Sequence, residues 1–247
     1  GKPVVVPTLA NYLNGTSGVI IKEGYPINSI WSFDYAGLNP TTGVPMFNKM
    51  DVDEMLARKD ISSYLTFSGE LQPYFTGGIS FSFRYKSFIA STSFSALLGG
   101  VKRLINPYQN FSNGSRLPGA EENISRLLNS RWQKPGDETT TDIPSLSALN
   151  SIYITLPNTV VDKLPIEMWA ESTIQVVDAS FLRNRGLDLE YRLAQKQAGV
   201  LGLRNASVTA SVNNLFVIAS KRFQGMDPEL GNSVMPKTFS LGLRVGL

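Results

Sequence analysis

Six charged side chains, Arg84, Lys86, Asp188, Glu190, Arg192 and Arg244, fall on the small-residue sides of alternating segments. On the wall of a water-filled passage such groups could contact a polar substrate or a neighbouring protein segment. The plainer alternative is hydrogen bonding along a polar wall, where charge is cheap, whereas against lipid it is costly. Tyr108, Phe111, Trp132 and Trp169 lie in one long intervening stretch. Their rings could stack on sugar faces or grip a peptide, or pack a small core of that stretch. Tyr108, Trp132, Trp169, Arg84 and Arg244 are therefore the candidate substrate contacts. Asp51 with Asp53, and Asp137 with Glu138, lack the glycine and distant glutamate of a calcium-binding loop, so no metal or cofactor is expected. Lys102-Arg103 and Lys221-Arg222 could meet phosphate groups or be solvated.

The chain has neither histidine nor cysteine. Within it, Ser-His-Asp triads, Cys-His dyads, His-based zinc sites and thiolate metal sites are excluded, and no disulfide framework exists. No two carboxylates are placed together by spacing, so an enzyme is not expected. Net charge is only +3 with basic residues scattered, which argues against nucleic acid as a partner.

The elements that must position these residues alternate with period two. Ile79, Phe81, Phe83 and Tyr85 oppose Gly78, Ser80, Ser82 and Arg84. Phe88, Ala90, Thr92, Phe94, Ala96 and Leu98 oppose a serine face. Leu187, Leu189, Tyr191 and Leu193 oppose Gly186, Asp188, Glu190 and Arg192. Ala206, Val208, Ala210 and Val212 oppose Ser207, Thr209, Ser211 and Asn213, and Phe239, Leu241, Leu243, Val245 and Leu247 oppose Ser240, Gly242, Arg244 and Gly246. The strands expected are 76–86, 88–98, 180–193, 204–214 and 237–247. Membrane barrel strands need about 9 to 11 residues, and ordinary strands average about 5 to 6, so the lengths favour an antiparallel transmembrane β-barrel segment. Hydrophobic residues make up 42% and charged ones 17%, with a mean hydropathy of −0.05, as fine-grained alternation requires. No run is long enough for a transmembrane helix.

Short and long connections alternate: Ser87, then 99–179, then 194–203, then 215–236. If the last strand runs toward the periplasm, both long links lie outside the cell. Tyr85, Phe88 and Tyr191 then form an inner aromatic belt, and Tyr74, Phe75, Phe181, Phe216 and Phe239 an outer one. Residues 1–75 read as an outer loop region with short strands, among them 29–36 with Trp31, Phe33 and Tyr35 on one side. A short helix is expected from Asp51 to Lys59, and another over 121–132, where Ile124, Leu127 and Leu128 repeat at helical spacing.

Six segments carry a family resemblance. DYAGLNPTTGVP at 34–45 looks like yDGLDPeTGdP. PYFTGG at 73–78, followed by YKSF at 85–88, looks like a PkftGGf…YKnF hairpin. NSRWQKPGDE at 129–138 resembles nRWkkPGDe, and VDASFLR at 177–183 resembles vedaSFlRl. VNNLF at 212–216 and GMDPE at 225–229 complete the order. In this order the chain resembles the C-terminal quarter of the SusC/RagA-type TonB-dependent outer-membrane transporters of Bacteroidetes. Family members usually end in an aromatic residue, whereas this chain ends in Leu247.

The resemblance implies the C-terminal strands of a 22-stranded barrel with long extracellular loops. It implies import of oligosaccharides or peptides with a SusD-like surface lipoprotein as lid and TonB acting through an N-terminal part. The plug and TonB-binding segment of the family have no counterpart here, and five strands leave open edges in lipid, so the chain is expected to be a fragment or one part of a split molecule. Outer-membrane lipid and lipopolysaccharide are the expected surroundings. Rival readings are an outer-membrane structural or adhesion barrel, and a soluble β-sandwich carbohydrate-active protein.

Overall fold

The computed structural model describes residues 21–48, 65–108, 124–150, 154–155, 162–200, 202–231 and 233–246. In chain order the strands are β1 (Ser29–Phe33), β2 (Tyr35–Leu38), β3 (Pro45–Phe47), β4 (Leu65–Glu70), β5 (Phe75–Tyr85), β6 (Phe88–Leu98), β7 (Val101–Arg103), β8 (Ile154–Thr155), β9 (Asp162–Lys163), β10 (Val176–Asp178), β11 (Phe181–Arg192), β12 (Asn205–Asn213), β13 (Val217–Ala219) and β14 (Thr238–Gly246). Among the described residues the α-helices are α1 (Pro165–Ala170) and α2 (Gln195–Val200). The chain divides into two compact units, one of residues 1–72 with 101–177 and the other of 73–100 with 178–247.

The second unit is one antiparallel sheet in the order β14-β12-β11-β6-β5, with β13 continuing the edge of β11 that β12 leaves. Register ties one residue type to one face. Phe81 pairs with Thr92, Thr92 with Leu187, Leu187 with Val212 and Val212 with Phe239. The next row is Ser82, Ser91, Asp188, Ser211 and Ser240. One face is thus a carpet of Phe, Leu, Val and Tyr, and the other is built from Ser, Gly, Thr and charges. The apolar face lies open, with Leu241 81% and Phe239 74% exposed, where a soluble domain would bury it. β5 and β6 run 11 residues each and β11 runs 12, about twice the usual strand. Lys86, at positive φ of 52°, makes the tight turn from β5 to β6.

β11 contains a bulge between Asn184 and Gly186. One extra residue reverses the side-chain alternation beyond it. Phe181, expected in the outer aromatic belt, therefore stands on the polar face opposite Leu97, buried, with the Arg183 guanidinium 5.0 Å over its ring. Leu182 takes the apolar face instead, opposite Ala96. At the other end Phe88 meets Tyr191 with ring centroids 4.7 Å apart.

The first unit combines short hairpins with a small core. β1 pairs with β4, β2 with β3, β7 with β10 and β8 with β9. All of Ser29–Phe33 is buried, so β1 is an interior strand and not the one-sided alternation its sequence suggests. Tyr108, Leu128, Ala148, Leu164, Ile166 and Trp169 form the core. α1 begins on Pro165, whose missing N–H suits the first helical position, and the Glu167 carboxylate accepts from the Leu164 amide at 2.8 Å. The helix expected over 121–132 is, in its described part, a 3₁₀ turn at Arg126–Ser130 opened by the Ser125 hydroxyl. Leu128 alone of its apolar residues is buried there, too little contact to hold three full turns. Asp51 to Lys59, Phe111 and Leu247 lie outside the described residues.

Candidate functional site

The polar face of the second unit gathers what could meet a solute. Ser80, Ser82, Ser91, Ser93 and Asp188 line a recess of about 340 Å³. The Ser82 and Ser91 hydroxyls are 3.2 Å apart across the β5–β6 pair. Beyond that recess the rows become charged. Arg192 grips Glu190 with two parallel hydrogen bonds, Nε to Oε1 at 2.8 Å and Nη2 to Oε2 at 3.1 Å. Arg84 lies opposite Ile89, which lies opposite Glu190, while Arg244 lies opposite Ser207, which lies opposite Arg192. Both candidate arginines are exposed on this face and stand on β5 and β14, with three strands between them, so the fold does not converge them on one small ligand. They can act as separate points along a wall.

The three aromatic candidates belong to the first unit and are buried, Tyr108 at 2%, Trp169 at 2% and Trp132 at 7% exposure. Tyr108 and Trp169 meet edge to face at 6.1 Å. The Trp169 indole N–H donates to the Asp142 carbonyl at 2.8 Å, and the Tyr108 hydroxyl donates to the Pro144 carbonyl at 2.5 Å. Burial pushes the Tyr108 hydroxyl well above the usual phenol range, against a small lowering by Arg131. Tyr35 is raised in the same way, first by burial and then by Asp142. With rings enclosed and polar ends satisfied, these residues hold the unit together in this conformation and present no open face to a solute.

Trp132 has a second job. Its indole N–H donates to Glu138 Oε2 at 3.2 Å, and the same oxygen accepts from the Gly136 amide at 2.8 Å. The neighbouring Asp137 carboxylate accepts from the amides of Gln133 and Lys134, both at 3.0 Å. The tight 133–138 turn thereby frames the indole. The Asp137 carboxylate is thus engaged by two backbone amides, and the Glu138 carboxylate by one backbone amide and the Trp132 indole.

Arg183 is a functional side chain that alternation alone does not single out. It lies on the polar side of the β11 bulge, 1% exposed, and donates through Nη2 to Asp227 and through Nη1 to Glu229. Arg185 stands 3.7 Å from Glu229. Asp227 also accepts from the amides of Glu229 and Leu230, at 2.8 and 3.4 Å, so its GMDPE turn is folded around the guanidinium. The signal was present as SFLR and GMDPE, but their pairing needs the register.

No family model matches this chain, and no curated protein matches it. Solved structures do. The chain is 24% identical to a chain of the RagAB peptide transporter, covering 92% of this chain and 23% of that one, with a TM-score of 0.59. For the RagAB peptide importer in the open-open state the values are 24%, 94%, 23% and 0.58, and in the closed-closed state 23%, 92%, 24% and 0.57. The fold is that of an antiparallel β-barrel segment. The chain spans about a quarter of the length of the structures it matches. Among the described residues no helix is long and apolar enough to cross a membrane, which says nothing of a β-barrel.

Proposed function

We propose that this chain forms part of the barrel wall and outer loops of an outer-membrane importer of peptides or oligosaccharides, working with a surface lipoprotein and driven through TonB. The observation that carries the reading is the two-faced sheet. Its open apolar face is as wide as five strands and is ruled by register, while the reverse face is hydroxyl-rich and charged. Such a sheet is stable where one side meets hydrocarbon and the other meets water. The likeness to a peptide importer supports peptides as the first class to try. Arg84 and Arg244 would then be polar contacts along the passage.

Because this chain has no cysteine, a cysteine introduced into it is the single thiol of the segment, and its labelling is read against the unsubstituted protein. In the full-length protein in its own membrane, Ser82→Cys and Ser240→Cys should react with a water-soluble maleimide. Phe81→Cys and Leu241→Cys should react only with a lipid-soluble one. Equal labelling of all four by the water-soluble reagent would defeat the barrel reading. Uptake of labelled peptides and of labelled oligosaccharides then tests import. A protein that labels as a barrel but takes up neither would be an adhesion or structural barrel.

A further inference from the structure

The sheet has a gap in its weave at one end of β12. There β12 stops at Asn213, and Asn214 takes a positive φ of 55°. The chain resumes against β11 as β13, with Val217 opposite Arg183. β14 follows β12 only as far as the Asn213–Thr238 pair. Between β13 and the lead-in to β14 lies a cleft of about 360 Å³. At its base the Asn214 side-chain amide donates to the Pro236 carbonyl at 3.3 Å. Phe216, Val217, Val234 and Met235 supply apolar walls, and Arg183 and Asp227 also line it.

The charges of this cleft do not cancel at its mouth. Arg183 and Arg185 are matched by Asp227 and Glu229, two cations against two anions. Arg183 is held on both nitrogens, with its Nη1 also 3.7 Å from the Met235 sulfur. Lys237 lines the same cleft and is exposed. It has no ion-pair partner among the described residues. An apolar hollow over a neutralised floor, with one ammonium at its lip, suits a ligand that joins a carboxylate to an apolar group.

The geometry points to the 214–237 cleft as a binding site for the carboxyl-terminal residue of a peptide, its side chain among Phe216, Val234 and Met235 and its carboxylate on Lys237. The peptide as source rests on the import reading; the preference for a carboxylate next to an apolar group does not. A short fatty acid carries the same chemistry, so the test separates the two.

The full-length protein in detergent would be titrated with Ac-Ala-Ala-Phe carrying a free carboxylate, with the same peptide as its C-terminal amide, and with octanoate. The free acid should bind at least about tenfold more tightly than the amide, the difference one charge-assisted contact makes. Lys237→Gln should remove that preference and Lys237→Arg should keep it, with thermal unfolding unchanged in both because the side chain is exposed. Tight binding of octanoate without the peptide would keep the site and overturn the peptide as its ligand. Equal binding of acid and amide, or a Lys237→Gln protein that still discriminates, would overturn the site. The cysteine labelling above is independent of every one of these outcomes, so a failed cleft and a failed barrel are told apart.

Discussion

The backbone of Gly43 packs directly against the indole of Trp132. A Cβ added at Gly43 would fall 2.4 Å from two ring carbons of Trp132 and 2.8 Å from the Ser145 Cβ. Around this contact the 39–44 turn is stitched down. Asn39 Oδ1 accepts from the amides of Thr41 and Thr42 at 2.9 and 3.1 Å. The Ser145 hydroxyl donates to the Thr42 carbonyl at 2.7 Å, and the Ser145 amide donates to the Gly43 carbonyl at 3.0 Å. Two segments about ninety residues apart, NPTTG and RWQKPGDE, are therefore one structural element.

Gly43 also has a positive φ of 67°, which costs an L-residue about 1–2 kcal/mol, and a clash with a ring adds about 1–3 kcal/mol of overpacking. Gly43→Ala is expected to destabilise the first unit by the sum of these. Limited proteolysis should cut 39–45 and 132–147 faster in the variant, while the sheet of the second unit keeps its protection. Unchanged cleavage would mean that the turn and the indole are not packed as described.

Glu138 gives this junction a pH dependence. Its carboxyl sits below the ordinary 4.5, held down first by its own backbone amide, against partial desolvation, and then by the Trp132 indole and the Gly136 amide. A depressed carboxylate contributes stability that is present above its unfolded value and lost as pH falls through its folded value. Docking of Trp132 should therefore be constant from neutrality down to about pH 4.5 and weaken only below it. Tryptophan fluorescence of the wild type and of Glu138→Gln, followed from pH 7 to pH 3, checks this. The difference between the two should shrink in acid; a difference that shrinks between pH 7 and pH 5 would contradict it.

Arg183 is buried between Asp227 and Glu229, so removing it leaves a buried carboxylate without its cation. Such a break costs about 3–5 kcal/mol. Arg183→Met should release the 220–236 loop, seen as faster amide exchange at Asp227 to Leu230, while the register of β11 with β6 and β12 persists. Asp227→Asn, which keeps an acceptor for the Glu229 and Leu230 amides, should do so more weakly. Equal exchange in wild type and Arg183→Met would remove the loop-fastening role.

Much of the sheet was legible because period-two alternation is a direct image of a sheet with one apolar and one polar face. The strand over 76–86 lies at Phe75–Tyr85, and that over 88–98 lies at Phe88–Leu98. The aromatic candidates were harder. A tryptophan that packs a loop and one that stacks on a ligand look alike in sequence, and only the buried 108–169 contact separates them. Arg84 and Arg244 could be placed on a face but not at a distance, because strand order across the sheet is not a local property. Arg183 was hidden by the bulge: alternation read backwards from Leu187 puts Arg183 with the apolar residues, where a charge would not survive.

That bulge supplies the sharpest test of the fold. Asn184 stands on the apolar face opposite Phe94, its amide donating to Thr92 Oγ1 at 2.9 Å, and Thr92 in turn donates to the Gly186 carbonyl at 3.0 Å. Arg185, the extra residue, reaches the polar face through Nε to the Ser95 hydroxyl at 2.8 Å. Deleting Arg185 removes the residue that lets both halves of β11 keep their phase. Either Leu187, Leu189 and Tyr191 turn to the polar face, or Arg183 turns to the apolar one and abandons Asp227. Both cost more than a domain's usual margin of about 5–15 kcal/mol can readily absorb. The deletion should abolish folded protein in the membrane, whereas Arg185→Ser, which keeps the count, should leave the fold intact. Folded protein from the deletion at wild-type yield would show that the phase reversal at Asn184 is not what holds Arg183 on the polar side.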